Sequence, residues 1–215
     1  MQTLSILAGQ GARRVLCLGA HADDIEIGCG GTILRLAAER RDLEVRWMVF
    51  ASNPVRAAEA RASAGAFLEG VKSTVVVRDY RDGYLPWAGA AIKDEFEALK
   101  REFVPDLIFT HQRDDLHQDH RLISELTWNT WRNHLVLEYE IPKYEGDLGL
   151  PSLYVPIDAA TARRKIDVLL RSFPSQAGRS WFRAETFEAM LRLRGIECNA
   201  AEGFAEAFHA TKWVI

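Results

Sequence analysis

Two short segments hold most of the residues in this chain that can do chemistry. One reads His21-Ala22-Asp23-Asp24-Ile25-Glu26, the other His111-Gln112-Arg113-Asp114-Asp115-Leu116-His117-Gln118-Asp119-His120. Between them they carry four of the six histidines, interleaved with carboxylates. Imidazole and carboxylate are the groups that zinc takes in catalytic sites, where three protein ligands leave one position open. A cation held in this way makes water nucleophilic near neutral pH and polarises a carbonyl. A nearby carboxylate can take the water's proton, and an imidazole can stabilise an oxyanion or protonate a leaving amine. The two segments therefore contain enough groups to hydrolyse an amide. Each group alone has a plainer explanation. Acidic residues before a helix suit its positive end, and a lone histidine at a strand end is commonly a hydrogen-bonded structural group. Two such clusters at equivalent strand ends are harder to explain that way.

The elements that must position them follow from the apolar pattern. Residues 15–20 form a short continuous apolar run, as in a strand covered on both faces. The pattern then predicts a helix over about 30–40, a strand over 45–50, and a helix opened by Asn53-Pro54 and running to about Leu68. Strands over 74–77 and 107–110, helices over 92–103 and about 119–134, and a fifth strand over 135–139 continue the series. Strand–helix alternation of this kind means an α/β Rossmann-like three-layer sandwich, a mostly parallel sheet with helices on both faces. In such sheets sites form beyond the carboxyl ends of the strands, which is where both clusters fall. From about Pro142 the pattern changes to a Gly- and Pro-rich loop, then helices near 160–173 and 184–194, the second stopped by Gly195. We expect a single domain over 1–215, with 142–215 an elaboration lining one wall of the site.

The bulk numbers exclude several classes. At 215 residues the chain suits one well-buried core. A net charge of -3, from 27 basic and 30 acidic residues, is not the footprint of a nucleic-acid binder. No run approaches the roughly 20 apolar residues of a membrane span, and Met1 to Leu7 lacks the leading charge of a secretory signal. Cys17, Cys29 and Cys198 fit neither a disulfide framework nor a zinc knuckle, which points to reduced thiols and a cytoplasmic location.

The two clusters resemble the motifs of the PIG-L/LmbE family of zinc-dependent N-deacetylases. The family's first motif is Ala-His-Pro-Asp-Asp-x-Glu, matched by Ala20 to Glu26 with Ala22 in place of the proline. The second, His-x-x-x-Asp-x-His-x-Asp-His, is matched by His111, Asp115, His117, Asp119 and His120. Weaker matches are Gly28, Gly30, Gly31 and Thr32, Arg56 with Glu59, Asp82 with Gly83, and Lys165 with Ser175 and Gln176. The resemblance implies that His21, Asp24 and His120 hold zinc, or iron(II), which such sites also accept. It implies that Asp23 is the general base and that His117 stabilises the oxyanion or protonates the leaving amine. Asp119 would orient His117, and Arg56 and Asp82 would contact sugar hydroxyls. The substrate implied is an N-acetylated amino sugar or glycoconjugate. A homo-oligomer is left open. Ala22 loosens the turn between His21 and Asp23 but removes no ligand.

Other features have ordinary explanations. Gly28-Cys29-Gly30-Gly31 lacks the dinucleotide spacing, and the acidic cluster would repel a pyrophosphate. Cys29 reads as a small buried residue, and His134 and His209 as structural. Tyr84 and Trp87 suit either sugar stacking or loop packing. Two other functions compete: another metal hydrolase such as a phosphoesterase, for which one His-Asp-His set is a poorer fit than two bridged metals, and a sugar- or nucleotide-binding module with a vestigial site.

Overall fold

The computed structural model describes residues 11–212; the Met1 to Leu7 segment considered above lies outside them. The first strand, β1 (Arg14–Gly19), leads into α1 (Asp24–Glu39), then β2 (Glu44–Ala51), α2 (Pro54–Phe67) and β3 (Lys72–Tyr80). The chain continues through a 3-10 turn (Leu85–Ala88), α3 (Gly89–Glu102), β4 (Leu107–His111), α4 (Gln118–Thr130) and β5 (Leu135–Tyr139). It ends with β6 (Leu153–Ile157), α5 (Ala159–Ser172), a second 3-10 turn (Pro174–Gln176), α6 (Ala184–Glu197) and β7 (Phe204–His209). The seven strands make one sheet in the order β3-β2-β1-β4-β5-β7-β6. The first five are mutually parallel, and β7 runs antiparallel between β5 and β6.

Burial explains the layers. β1 is buried over all but its first residue and β4 throughout, as expected of central parallel strands covered on both faces. On one face α1, α2 and α5 pack together around Ile33, Phe67, Leu169 and Phe173. On the other, α3 and α4 enclose Ile92, Phe96, Ile123 and Trp131, with Phe96 stacked on Phe50 of β2 at 5.2 Å. Each such fully buried aromatic stabilises the fold by about 2–3 kcal/mol. The order runs β1-β2-β3 to one side and β4-β5 to the other, so the chain reverses direction between β1 and β4. The crevice at that switch point is where α/β sheets place ligands.

Four expectations need correction. Helix α1 begins at Asp24, not near Gly30, so the first cluster is itself part of a helix start. Helix α4 stops at Thr130 rather than His134. Helix α6 continues through Gly195 to Glu197; a Cβ there would lie 2.3 Å from the Gly203 carbonyl oxygen, so this glycine admits a close backbone approach and does not stop the helix. Strands β6 and β7 had no counterpart in the sequence pattern. They add to the same sheet, and the three cysteines are free. No helix among the described residues is long and apolar enough to cross a membrane.

Candidate metal centre

β1 ends at Gly19 and β4 at His111, neighbouring strands in register at Cys17 and Phe109, so the segments after them meet over the sheet edge. Asp24 is the first residue of α1 and His120 lies in the first turn of α4. Three atoms converge there. His21 Nδ1 is 3.1 Å from His120 Nε2 and 3.4 Å from Asp24 Oδ2, and Asp24 Oδ2 is 3.5 Å from His120 Nε2. Ligands about 2.0–2.2 Å from a tetrahedral cation stand about 3.3–3.6 Å apart. Two sides of the triangle have that length and the third, between His21 and His120 at 3.1 Å, is slightly shorter. All three residues are buried or nearly so.

The surroundings hold each ligand in place. Asp115, fully buried, accepts a hydrogen bond from His120 Nδ1 at 2.9 Å, which leaves Nε2 unprotonated and facing the triangle. Burial and the neighbouring His111 push the His120 pKa down to about 3, so it is a neutral donor of its lone pair. Asp115 in turn accepts from Lys143 Nζ at 2.9 Å and from the His117 N–H at 2.8 Å. His21 presents Nε2 to Asp119 Oδ2 and to Asp82 Oδ1, each at 3.2 Å. Burial works to lower its pKa, but the Asp24, Asp119 and Asp82 carboxylates win and hold it well above the ordinary value. Asp24 accepts the His21 N–H at 2.6 Å. Burial opposes its ionisation, yet the imidazoles of His120, His111 and His21 keep its carboxyl well below the usual range. Behind them His111 stacks on His120 at 3.9 Å, its Nε2 accepting the Ala20 N–H at 2.9 Å.

Asp23 is the N-cap residue of α1 and is buried. Its Oδ1 meets Arg56 Nη2 at 2.9 Å; its Oδ2 is buried with no hydrogen-bond partner among the described residues. Burial lifts its pKa, Arg56 opposes, and Asp24 adds to the rise, giving about 6. Asn53 caps α2 by accepting the Arg56 N–H at 3.0 Å, which fixes the turn from which Arg56 reaches across. Arg56 also meets Glu59 at 3.6 Å and Ser175 Oγ at 3.4 Å, and lies over the Phe173 ring. Ser175 is held by Glu59 through its amide at 2.9 Å and its hydroxyl at 2.6 Å. Arg56 is thus a partner of Asp23.

His117 caps α4. Its Nδ1 accepts the Asp119 N–H at 3.2 Å, so the neutral ring carries its proton on Nε2. Its centroid is 4.9 Å from that of His21 and 4.6 Å from that of His120. Burial and the charge of His21 lower its pKa. The expected carboxylate contact from Asp119 to His117 is absent. Residues two apart at a helix start do not face each other, and the Asp119 carboxylate turns to His21 and to the amides of Gly83, at 2.7 Å, and Leu85, at 3.1 Å. Asp82 stands exposed at the rim. All eight residues singled out in the sequence therefore share one crevice. Asp115 and His111 had been matched only as motif positions, without roles. Lys143, far along a polar loop, carried no signal at all.

The donor set fits a cation: two neutral or displaceable imidazoles and an ionised carboxylate, with an unpartnered carboxylate oxygen beside them. The family described as PIG-L: GlcNAc-PI de-N-acetylase matches residues 16–131, more than half of the chain. This chain belongs to the PIG-L family. Among solved structures, the chain is similar to N,N'-diacetylchitobiose deacetylase from Pyrococcus horikoshii, at 23% identity and a TM-score of 0.72 over 93% of this chain and 84% of that one. It is similar at 16% identity and a TM-score of 0.75 to GalB, the 4-carboxy-2-hydroxymuconate hydratase of Pseudomonas putida, covering 94% and 98%. It is also similar to the zinc-inhibited form of teicoplanin deacetylase Orf2, at 14% identity and a TM-score of 0.68, covering 92% and 97%. At these identities the likeness is one of fold. The presence of a hydratase among such neighbours means that the reaction must be argued from the residues of the site.

Proposed function

We propose that this PIG-L family member is a zinc-dependent hydrolase that removes the N-acetyl group of an amino sugar or glycoconjugate. The observation that carries the reading is the triangle of His21 Nδ1, Asp24 Oδ2 and His120 Nε2, with sides of 3.1 to 3.5 Å, beside the unpartnered oxygen of Asp23. These three residues would hold the cation, with zinc the expected ion and iron(II) compatible with the same donors. When bound it supplies Lewis acidity toward water and the amide carbonyl.

The chain's own groups divide the proton work. Asp23, with a pKa near 6, is ionised at neutral pH and basic enough to take a proton from water. Its partner Arg56 fixes the carboxylate while leaving Oδ2 unengaged. His117 carries its proton on Nε2, where it can hydrogen-bond the developing oxyanion, while the proton that Asp23 takes from water is the one returned to the departing amine. Asp82, exposed next to His21, is placed to accept from a sugar hydroxyl. Arg56 has a second part in this reading, contact with a sugar hydroxyl, for which its Nη1 would exchange Ser175 or Glu59. Among the described residues, the other trios that could hold a cation, His21–His117–His120, Asp24–His111–His120 and His21–Asp82–Asp119, all reuse His21 or His120, which favours one cation over a bridged pair, and the intact base speaks against a vestigial binding module. The free cysteines and the absence of an apolar spanning helix among the described residues support a cytoplasmic enzyme that meets its substrate in water.

The test is metal content after chelator-free purification, together with acetate release from a panel of N-acetylated amino sugars, for wild type and Asp23→Ala. About one zinc per chain, with acetate release lost in the variant, is the expected result. Metal without acetate release from any sugar would move the assignment to another reaction, hydration included. No metal after reconstitution would end the enzyme reading.

A further inference from the structure

Helix α1 carries the first cluster on its opening turn, and a buried ion pair from the far end of the chain is set against its next turn. Lys165 of α5 and Glu206 of β7 are each about 3% exposed. Lys165 Nζ donates to Glu206 Oε1 at 2.5 Å and to the carbonyl of Ile27 at 2.6 Å. Glu206 accepts the N–H of Gly31 at 2.7 Å through Oε1 and the N–H of Thr32 at 2.6 Å through Oε2. In a regular helix the Ile27 carbonyl and the Gly31 N–H are partners of one another. Here each has a charged side chain on it, and the Lys165–Glu206 pair bridges the two. Residue 31 is glycine because a Cβ would lie 3.0 Å from Glu206 Oε1 and 2.9 Å from Ile157 Cδ1. Contacts of this kind tie one turn of a continuous helix to the elements that supply the side chains, here α5 and β7. The turn on the N-terminal side of this point holds Asp23, Asp24 and Glu26.

A buried pair of this kind is a poor device for stability, since well-packed apolar residues of similar volume do as well or better. Its four hydrogen bonds are directed at backbone atoms of one helix and at each other. We propose that Lys165 and Glu206 are positioning residues: they set the inclination of the first turn of α1, and so place the Asp24 ligand atom relative to His21 and His120 and the Asp23 carboxylate beside them. The inference rests on the metal-hydrolase reading above, but its test does not require turnover. Neither residue touches the triangle, so neither is a catalytic residue.

The test compares wild type, the double variant Lys165→Met/Glu206→Leu, and Gly31→Ala, which crowds Glu206 while favouring helix. Three quantities are read: the melting temperature in chelator, the zinc Kd by competition, and the visible absorption of the cobalt(II)-loaded protein, which reports ligand geometry. The expected result is a double variant that melts within a few degrees of wild type or above it, with a zinc Kd raised about 10- to 100-fold, the range for groups that orient ligands, and an altered cobalt spectrum. Gly31→Ala is expected to shift the spectrum in the same direction with a smaller change in Kd. A double variant with wild-type Kd and spectrum overturns the proposal. So does a double variant that fails to fold, because the pair would then serve stability. Wild type that binds neither ion would instead refute the metal-hydrolase reading beneath it.

Discussion

Replacing Asp115 tests the geometry of the site most directly, because its carboxylate is where the second cluster is tied together. Asp115 is fully buried and accepts from His120 Nδ1 and Lys143 Nζ, both at 2.9 Å, and from the His117 amide at 2.8 Å. In Asp115→Ala, Lys143 keeps Asp147 at 2.6 Å, so its charge stays paired. The His120 ring N–H and the His117 amide do not. The buried His120 donor left unsatisfied costs about 1–3 kcal/mol and the half-buried His117 amide less, so the chelator-treated protein should lose roughly 2–4 kcal/mol of stability. Losing the group that orients a ligand should weaken zinc about 10- to 100-fold, or about 1.4–2.8 kcal/mol of binding.

Asp115→Asn tests the cause. The asparagine oxygen settles at the Oδ2 position, where it accepts from both His120 Nδ1 and Lys143 Nζ, and its NH2 faces the His117 N–H. One donor is then left unsatisfied rather than two, and the His120 proton stays on Nδ1. Asp115→Asn should therefore unfold at a higher denaturant concentration than Asp115→Ala and keep most of the wild-type zinc affinity. The assays are zinc competition against a chromophoric chelator and urea unfolding in chelator. Zinc affinity in Asp115→Asn as poor as in Asp115→Ala would refute the reasoning, because it would mean that the hydrogen bond setting the His120 tautomer is not what Asp115 contributes to binding.

Three further outcomes follow from the same contacts. Arg56→Met removes the 2.9 Å contact to Asp23, so kcat should fall by about 10-fold or more; a rise in KM alone would confine Arg56 to sugar binding. Glu26 is buried, and burial pushes its pKa from 4.5 up to about 8. The native state thus holds a proton that the unfolded chain releases above pH 4.5, and stability should fall as pH rises from 4.5 to 8. Glu26→Gln should remove a term on the order of a few kcal/mol from that slope, measured by denaturant unfolding in chelator; an unchanged slope would place the titration elsewhere. Trp87, 72% exposed, sits 5.5 Å from the Tyr84 ring on the loop pinned to Asp119. If it stacks a second sugar ring, Trp87→Ala should raise KM for a disaccharide about 5-fold and leave the monosaccharide unchanged. Equal effects on both would make it loop packing.

What the sequence disclosed and what it hid divide along physical lines. Strands β1, β2 and β4 were legible because a parallel strand buried on both faces is a continuous apolar run. Strand β7 was not, because Phe204-Ala205-Glu206-Ala207-Phe208-His209 puts a carboxylate in the middle of a buried strand. Lys165 from α5 and the Gly31 and Thr32 amides of α1 make that burial tolerable, and no local pattern announces partners 41 to 175 residues away. Strand β6 contains Pro156, which argues against a central strand and is at home on the sheet edge that β6 forms. At the site, residue types and strand ends sufficed to gather the ligands into one crevice. The pairing of atoms did not follow, since His117 and Asp119 both come against His21 while the Asp119 carboxylate spends its other contacts on the Gly83 and Leu85 amides rather than on the His117 ring.

The balance of charge in the crevice gives an independent reason for a cation. Asp24, Asp82, Asp115 and Asp119 bring four carboxylates onto the imidazoles of His21, His111 and His120, and Asp23 adds a fifth against Arg56. The fixed cations among them are Arg56 and Lys143, and Lys143 is shared with Asp147. The raised pKa of His21 shows how the protein relieves the excess: a proton is held where the charge is densest. The Asp23 carboxyl is pushed up chiefly by its burial and further by the neighbouring Asp24 charge. Asp24 and Asp115 do the opposite and stay ionised, because each is surrounded by imidazoles. An arrangement that keeps two buried carboxylates charged, Asp24 against His21 and His120 and Asp115 against His120, is one in which a divalent ion would find the negative field its ligands supply.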